Sequence, residues 1–525
     1  MKHFDVMLPM EDGVKLYTLV LLPDGEGPHS VVFFRTPYDP APSEELIQSY
    51  APMYAPYLEN GFAIVWQHCR GRGGSEGDFV PFLGERADGL KTLSWIEQQD
   101  FCDGRIYLCG GSYLAYVHLS YLAVAPACVK GAALAVMCVD GSKAFFKDGA
   151  YKADLGPMWY MDMYHHSDLT HDSSRETYDR EFRKYPLAEF PRRAYGYSVP
   201  SMDEILSLLE NPLAVRGGYS EARYAMRGCR IPVLLKDGWS EMFLTGMLDM
   251  WHELPEEIRK QSAFLMGPWG HGCAVDPACP YPLSNGNIEG NPELDWLIHL
   301  RDGVEAKCVT PGMVKYYAVG EGEWKLAEDF PDNARTKHMY LTTERSMANA
   351  ACEGEISWIH DPEDPPFFPG GPDSFNTSPY AMAAQPQPNF RPDVISFVSE
   401  PLTADMPLAG RIRIVLQAAS DCDDTAFVAR VCCVEENGTA TIMQEGVMNL
   451  DPYVPGEWKE ISVELDNLCW TLHPGQRLRL DLSSADAANY FVHPNYAGDW
   501  RYIDKCRKAN NRISLAGSKV ELPIG

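Results

Sequence analysis

The sequence predicts an α/β fold carrying a separate all-β domain, and three observations point there. Over the first 140 residues, short β-branched and aromatic runs alternate with amphipathic stretches. The alternation stops near residue 141 and resumes near 226, so one sheet is left and re-entered. After about residue 304 helical periodicity disappears and strands follow one another, separated by Gly, Pro, Asp and Asn. The implied organisation is a core made of 1–140 and 226–303, a helical cap at 141–225, and a jelly-roll-like β-sandwich over 304–525. A chain of 525 residues suits about three such units at ~150 residues each.

Taken in order, HSVVFFR (29–35) and FAIVWQH (62–68) read as buried strands closed by turn chemistry. ERADGLKTLSWIEQQ (85–99) sets Ala87, Leu90, Leu93, Trp95 and Ile96 close to helical spacing. RIYLCGGS (105–112) is a further strand running into the helix candidate YLAYVHLSYLAVA, and KGAALAVMCV (130–139) is a strand again. This order belongs to a mostly parallel sheet with helices on both faces. From 141 to 225 aromatic, Met and charged residues mix without a period of two, as in KAFFKDGAYKADLGPMWYMDMYHHSD, which predicts a helical insertion over the sheet. RIPVLLKDGW (230–239), the amphipathic MFLTGMLDMWHEL and SAFLMGPWGH (262–271) restore the alternation. RIRIVLQAAS (411–420), TAFVARVCCVEE (425–436), WKEISVELD (458–466) and QRLRLDLSS (476–484) carry the partial period-two pattern of a sandwich.

Charge narrows the partners. With 73 acidic and 45 basic residues the net charge is −28, which repels phosphate backbones and anionic lipid. Nucleic acid and membrane are therefore not expected partners. No 18 apolar residues run together, and acids and turn residues interrupt the first 25 positions before a signal-like apolar core can form. The 15 cysteines are odd in number and irregularly spaced, with Cys432 and Cys433 adjacent, which fits reduced thiols packed as small hydrophobes in a cytoplasmic protein. Homo-oligomerisation is left open.

The chemistry centres on CGGSYLAY. A serine on a sharp strand-to-helix turn lifts its Oγ above the sheet, beside the next backbone N–H and a helix N-terminus. Here that serine is Ser112, with Leu114 where glycine is common. A nucleophilic serine needs a general base, and the base an acid to orient it. The loop after 230–236 offers Asp237 and Glu241, and the loop after the next strand offers His271 in GPWGHG. GRGGSEG (71–77) lacks the Lys-Ser/Thr of a phosphate loop and reads as a tight turn near the site, with Arg70 and Arg72 in internal ion pairs. The adjacent His165 and His166, and the pair Cys273 and Cys279, lack metal-ligand spacing, so neither metal nor cofactor is expected.

Four segments together resemble the cocaine-esterase-like and X-prolyl dipeptidyl peptidase family of α/β-hydrolases: RTPYDP (35–40), CRGRGGSEGDF (69–79), GGSYLAY (110–116), and GWSE with GPWGH. The tail is similar too, in GEWKLAEDFP, PLTADMPLAGRIRI, HPGQRLRLDLSS and HPNYAG. The resemblance implies an α/β-hydrolase core and a serine hydrolase acting on esters or amides of small molecules. It implies Ser112 as nucleophile, His271 as base and Glu241 as acid where the family has aspartate, with Asp237 the fallback. Tyr38 and the Tyr113 amide would form the oxyanion hole. Phe145, Phe146, Trp159, Tyr160 and Tyr164 of the cap, with Trp239 and Trp269, are candidates for the substrate pocket. Family members acting on α-amino acyl groups carry acids two and three places after the triad acid; here those places hold Phe243 and Leu244, and the nearby cap offers Lys143, Lys147 and only Asp148. The expected substrates thus lack a free α-amine. X-Pro dipeptidyl-peptidase or α-amino-acid ester hydrolase activity is the alternative within the family, and a non-catalytic carbohydrate-binding protein the rival from another class.

Overall fold

The structure, a computed structural model, describes residues 2–38, 43–153, 159, 163, 175–196, 219–374, 381–450, 453–487 and 489–525. In chain order the first strands are β1 (Lys2–Pro9), β2 (Lys15–Leu22), β3 (His29–Thr36), β4 (Ala63–His68), β5 (Cys102–Gly111) and β6 (Val129–Ala135). A two-stranded hairpin follows, β7 (Phe146–Lys147) with β8 (Ala150–Tyr151), then β9 (Val233–Gly238), β10 (Ala263–Gly267), β11 (Val314–Ala318) and β12 (Glu323–Ala327). All but the hairpin join one ten-stranded sheet in the order β1-β2-β4-β3-β5-β6-β9-β10-β11-β12. It is parallel from β4 to β11 and antiparallel at its edges.

Strand alternation sorts the core into two layers. Val31 and Phe33 pack into the cluster on one face, with α2 (Glu85–Glu97) and α3 (Tyr113–Leu122); Val32 and Phe34 pack into the other, where α1 (Glu44–Glu59) contributes Tyr54 and Tyr57. Among the described residues four short α-helices fall within the predicted cap, α4 (Gly141–Phe145), α5 (Arg175–Phe182), α6 (Phe190–Tyr195) and a single turn at Tyr219–Ala222, and α7 (Leu244–Glu253) and α8 (Pro292–Asp302) return to the core. Helix α1 contains Pro52 and Pro56, which argue against a helix when read in sequence. Its buried Tyr54 and Tyr57 outweigh the lost hydrogen bonds.

Two boundaries differ from expectation. The sheet runs through β11 and β12, past residue 303 where the sequence pattern ends the core. Two further strands pair there because β10 presents a free parallel edge to Val314–Tyr316. The insertion, read as helical, contains the β7–β8 hairpin, and Lys152 just beyond it bridges to Tyr490 of the C-terminal domain. The rest of that prediction falls largely on residues outside those described.

The C-terminal domain comprises β13 (Arg335–Leu341), β14 (Ser346–Ala348), β15 (Glu355–His360), β16 (Ile395–Ser399), β17 (Met406–Ser420), β18 (Ala426–Val434), β19 (Ala440–Asn449), β20 (Lys459–Leu472), β21 (Arg477–Ser483) and β22 (Ala509–Ile524). They form a series β19-β18-β21-β16-β14-β13-β22-β17-β20, with β15 also on β22. The series curls until β19 packs against β20, enclosing Phe397, Phe427, Val463 and Leu480. The cysteines are all unpaired. Among the described residues no helix is long and apolar enough to cross a membrane.

Candidate active site

The serine turn is built locally. β5 ends at Gly111, Ser112 takes φ 55° and ψ −130°, and α3 begins at Tyr113. Positive φ is costly for a residue with a Cβ, so the turn holds stored strain that its surroundings must sustain. Gly110 makes the turn sterically feasible. A Cβ there would meet the Leu114 carbonyl oxygen at 2.5 Å and the Leu114 Cβ at 2.7 Å. Leu114 therefore occupies the place of the usual second glycine by using space that Gly110 leaves empty.

Above the turn, Ser112 Oγ lies 3.0 Å from His271 Nε2, and His271 Nδ1 lies 2.5 Å from Glu241 Oε1. Three side chains from three loops thus form one relay, at hydrogen-bonding distances suited to proton transfer. Glu241 is fully buried, and its other oxygen accepts from the Phe243 amide. Asp237 does not join the relay. It is buried in β9, and neither carboxyl oxygen has a hydrogen-bond partner among the described residues. Burial, with the Glu241 charge nearby, pushes its carboxyl well above the usual range.

Tyr38 approaches from the loop after β3. The residue is 39 % exposed, whereas its hydroxyl is enclosed, facing Ser112 and the Tyr113 amide and accepting from Trp159 Nε1 at 3.3 Å. Burial raises this phenol above its ordinary value, so it stays a neutral O–H donor. The preceding carbonyl, Pro37 O, accepts from Arg72 Nε at 2.5 Å. Arg70 makes the expected ion pairs, to Asp88 and Asp12. Arg72 differs: among the described residues it grips the carbonyls of Pro37 and Met163. Arg35 of the same motif is fully buried, paired with Glu85 at 2.8 Å, and Glu85 accepts from the Tyr113 hydroxyl at 2.9 Å. One buried ion pair thereby ties the Tyr38 segment to the first residue of α3.

A pocket of about 250 Å³, counting space continuous with solvent, opens beside Ser112 and is lined by Phe82, Tyr113, Met137, Phe145, Trp159 and Phe243. Phe145 and Trp159 were among the sequence candidates. Three others are corrected. Phe146 turns to a separate polar cavity with Lys147 and Asp466, because the chain passes from α4 into the β7–β8 hairpin at this residue. Trp239 and Trp269 lie beneath the acid loop, donating to Tyr317 O at 2.8 Å and Asp237 O at 2.9 Å. Tyr160 and Tyr164 lie outside the described residues. Phe82 and Met137 were missed; Met137 follows the C-terminal end of β6, which pairs with β5 beside the serine turn, and the C-terminal ends of parallel strands are where such sites form.

Residues 12–273 match the model for X-Pro dipeptidyl-peptidase (S15 family), and residues 307–517 match that for the X-Pro dipeptidyl-peptidase C-terminal non-catalytic domain. The chain belongs to this family of α/β-hydrolases. A family relative, the cocaine esterase of Rhodococcus sp. (strain MB1 Bresler), is 26 % identical across 99 % of this chain and 98 % of its own length. Among solved structures, an α-amino acid ester hydrolase has a TM-score of 0.82 at 19 % identity, covering 100 % of this chain and 96 % of its own. An aminopeptidase from the marine sediment archaeon Thaumarchaeota archaeon has a TM-score of 0.79 at 20 % identity, with the same coverage. These two likenesses establish the fold. The family is one of hydrolases whose members include esterases and peptidases.

Proposed function

We propose that the chain is a serine hydrolase that cleaves carboxylic esters or amides through an acyl-enzyme. The observation that carries this reading is the continuous Ser112–His271–Glu241 relay with the Tyr38 hydroxyl over the same serine. His271 Nε2 takes the Ser112 proton as Oγ attacks the substrate carbonyl. Glu241 supports the imidazolium, and the Tyr38 O–H and Tyr113 N–H receive the oxyanion. On collapse His271 protonates the departing alcohol or amine, and water repeats the sequence to free the acid.

The pocket supports a preference for apolar or aromatic acyl groups. Its described lining is aromatic and methionine, with Phe243 beside the acid, and it includes no carboxylate to hold an ammonium. Burying an unpaired ammonium costs several kcal/mol, roughly.

The test is labelling with a fluorophosphonate probe, mapped by mass spectrometry, alongside turnover of p-nitrophenyl esters. Ser112 should be the residue labelled, and an adduct on another serine overturns the reading. For specificity, methyl phenylacetate, phenylglycine methyl ester and an Ala-Pro chromogenic peptide are compared by kcat/KM. A tenfold preference for either amine-bearing substrate, roughly 1.4 kcal/mol, overturns the acyl preference.

A further inference from the structure

The loop that carries Glu241 is held from outside the hydrolase sheet. Trp239 O, two residues before Glu241, accepts from Gln444 Nε2 at 2.6 Å, and the same amide nitrogen lies 3.1 Å from Asn467 O. Met242 O, one residue after Glu241, accepts from Lys152 Nζ at 2.7 Å. Gln444 is on β19 of the C-terminal domain and Lys152 follows the β8 hairpin strand of the insertion; both are buried. Neither donor is on a loose element. Lys152 is ion-paired with Asp373 at 2.7 Å, and Asp373 accepts from the Tyr490 hydroxyl at 2.7 Å. That hydroxyl lies 3.0 Å from Glu445, the next residue on β19, itself paired with Arg430. Gln444 and Glu445 thus connect the two ends of one buried network, and the acid loop lies between its donors.

Resting on the reading of Glu241 as triad acid, we infer that Gln444 and Lys152 are positioning residues that clamp the carbonyls flanking Glu241, so that the C-terminal domain and the insertion align the catalytic carboxylate. Local turns shape the loop, but the carbonyls on either side of Glu241 are held by groups far away in the chain. Within the loop Glu241 N donates to Gly238 O at 3.2 Å, Leu244 N to Glu241 O at 3.1 Å and Phe243 N to the carboxylate, while Trp239 and Ser240 are anchored from outside it by β10, the segment after β10 and β11. A displacement of about 1 Å at a catalytic group costs on the order of 10²-fold in rate, so these two donors act on kcat through the orientation of the acid.

The test uses the full chain, with Gln444→Met and, separately, Lys152→Met combined with Asp373→Asn so that no buried carboxylate is left unpaired. Each is made in the parent and in the Glu241→Gln background, with kcat counted per fluorophosphonate-titrated site. Each clamp variant should lower kcat about 10-fold to 100-fold with KM moving less than about twofold, and cost little more once Glu241 is Gln. Unchanged kcat per site in both arms overturns the clamp, as does a loss that recurs in full on Glu241→Gln. If either arm fails to fold, the other decides by the same criteria. A Glu241→Gln enzyme as fast as the parent is a different failure: it removes the acid assignment, and the clamp with it.

Discussion

The serine turn and the acid loop contribute to the same relay but are built in opposite ways. Ser112 is set by its immediate neighbours: Gly110 supplies the space, Gly111 ends the strand, and α3 begins at the next residue. Glu241 depends on distant parts of the chain. Trp239 donates to Tyr317 of β11, Gln444 binds the Trp239 carbonyl, Lys152 binds that of Met242, and Trp269 fills the space left by Gly238, where a Cβ would meet the Trp269 carbonyl oxygen at 2.0 Å. A serine turn that needs only a local arrangement of backbone can be encoded in a few residues. A carboxyl group buried away from water needs its position fixed from several sides, and those sides come from all three parts of the chain.

The largest effect expected is at the local end of this comparison. Ser112→Ala should lower kcat by about 10⁶-fold with an unchanged circular-dichroism spectrum. Gly110→Ala should break the turn itself, costing about 1–3 kcal/mol in stability as the new Cβ displaces Leu114, together with most of the labelling by a fluorophosphonate; full labelling would mean that Leu114 yields easily.

At the distributed end, Glu241→Gln should reduce kcat about 10⁴-fold through loss of the anionic partner of His271, while Asp237→Asn stays within about threefold of the parent by the same assay. The reverse ranking would transfer the acid role to β9. Between the two regions lies Tyr38, which reaches the serine from a third loop. Tyr38→Phe should lower kcat about 10²–10³-fold with little change in KM, measured on an ester whose acylation limits the rate.

The smallest effect concerns stability. The folded-state carboxyl of Asp237 is raised above its unfolded value near 3.8. The native state therefore holds a proton that the unfolded state releases, and stability from this group is present at low pH and lost as pH climbs toward the folded value. Thermal melts of Asp237→Asn against the parent should show the difference moving in favour of the variant as pH rises from 4 to 8. A difference independent of pH would mean that the Asp237 carboxyl is ionised in the fold.

Much of the core was legible because its signals are short in range. The runs at 29–35, 62–68 and 105–112 became β3, β4 and β5, and 85–99 became α2. Helix α1 was obscured by two prolines whose effect depends on which side faces the core, and β22 by the Asn, Arg, Ser and Lys that alternate along its outward positions. The end of the sheet at β12 was hidden as well, since strands that complete a parallel sheet and strands that begin a β-domain carry the same period of two.

By itself the sequence determined the alternation of strands and helices in the core, the serine turn between a strand and a helix, and the motifs that carry Ser112, an acid and His271 in that succession, because each depends on spacing and backbone geometry within a few residues. Only the tertiary structure decided that Glu241 rather than Asp237 meets His271, that Phe82, Met137 and Phe243 line the pocket while Trp239 and Trp269 brace the loop beneath it, and that Gln444, 205 positions along the chain from Trp239, holds its carbonyl. The reason is the reach of the interactions. A turn is governed by sterics among neighbours, whereas a buried carboxylate and an apolar pocket are governed by whichever surfaces the whole fold brings against them.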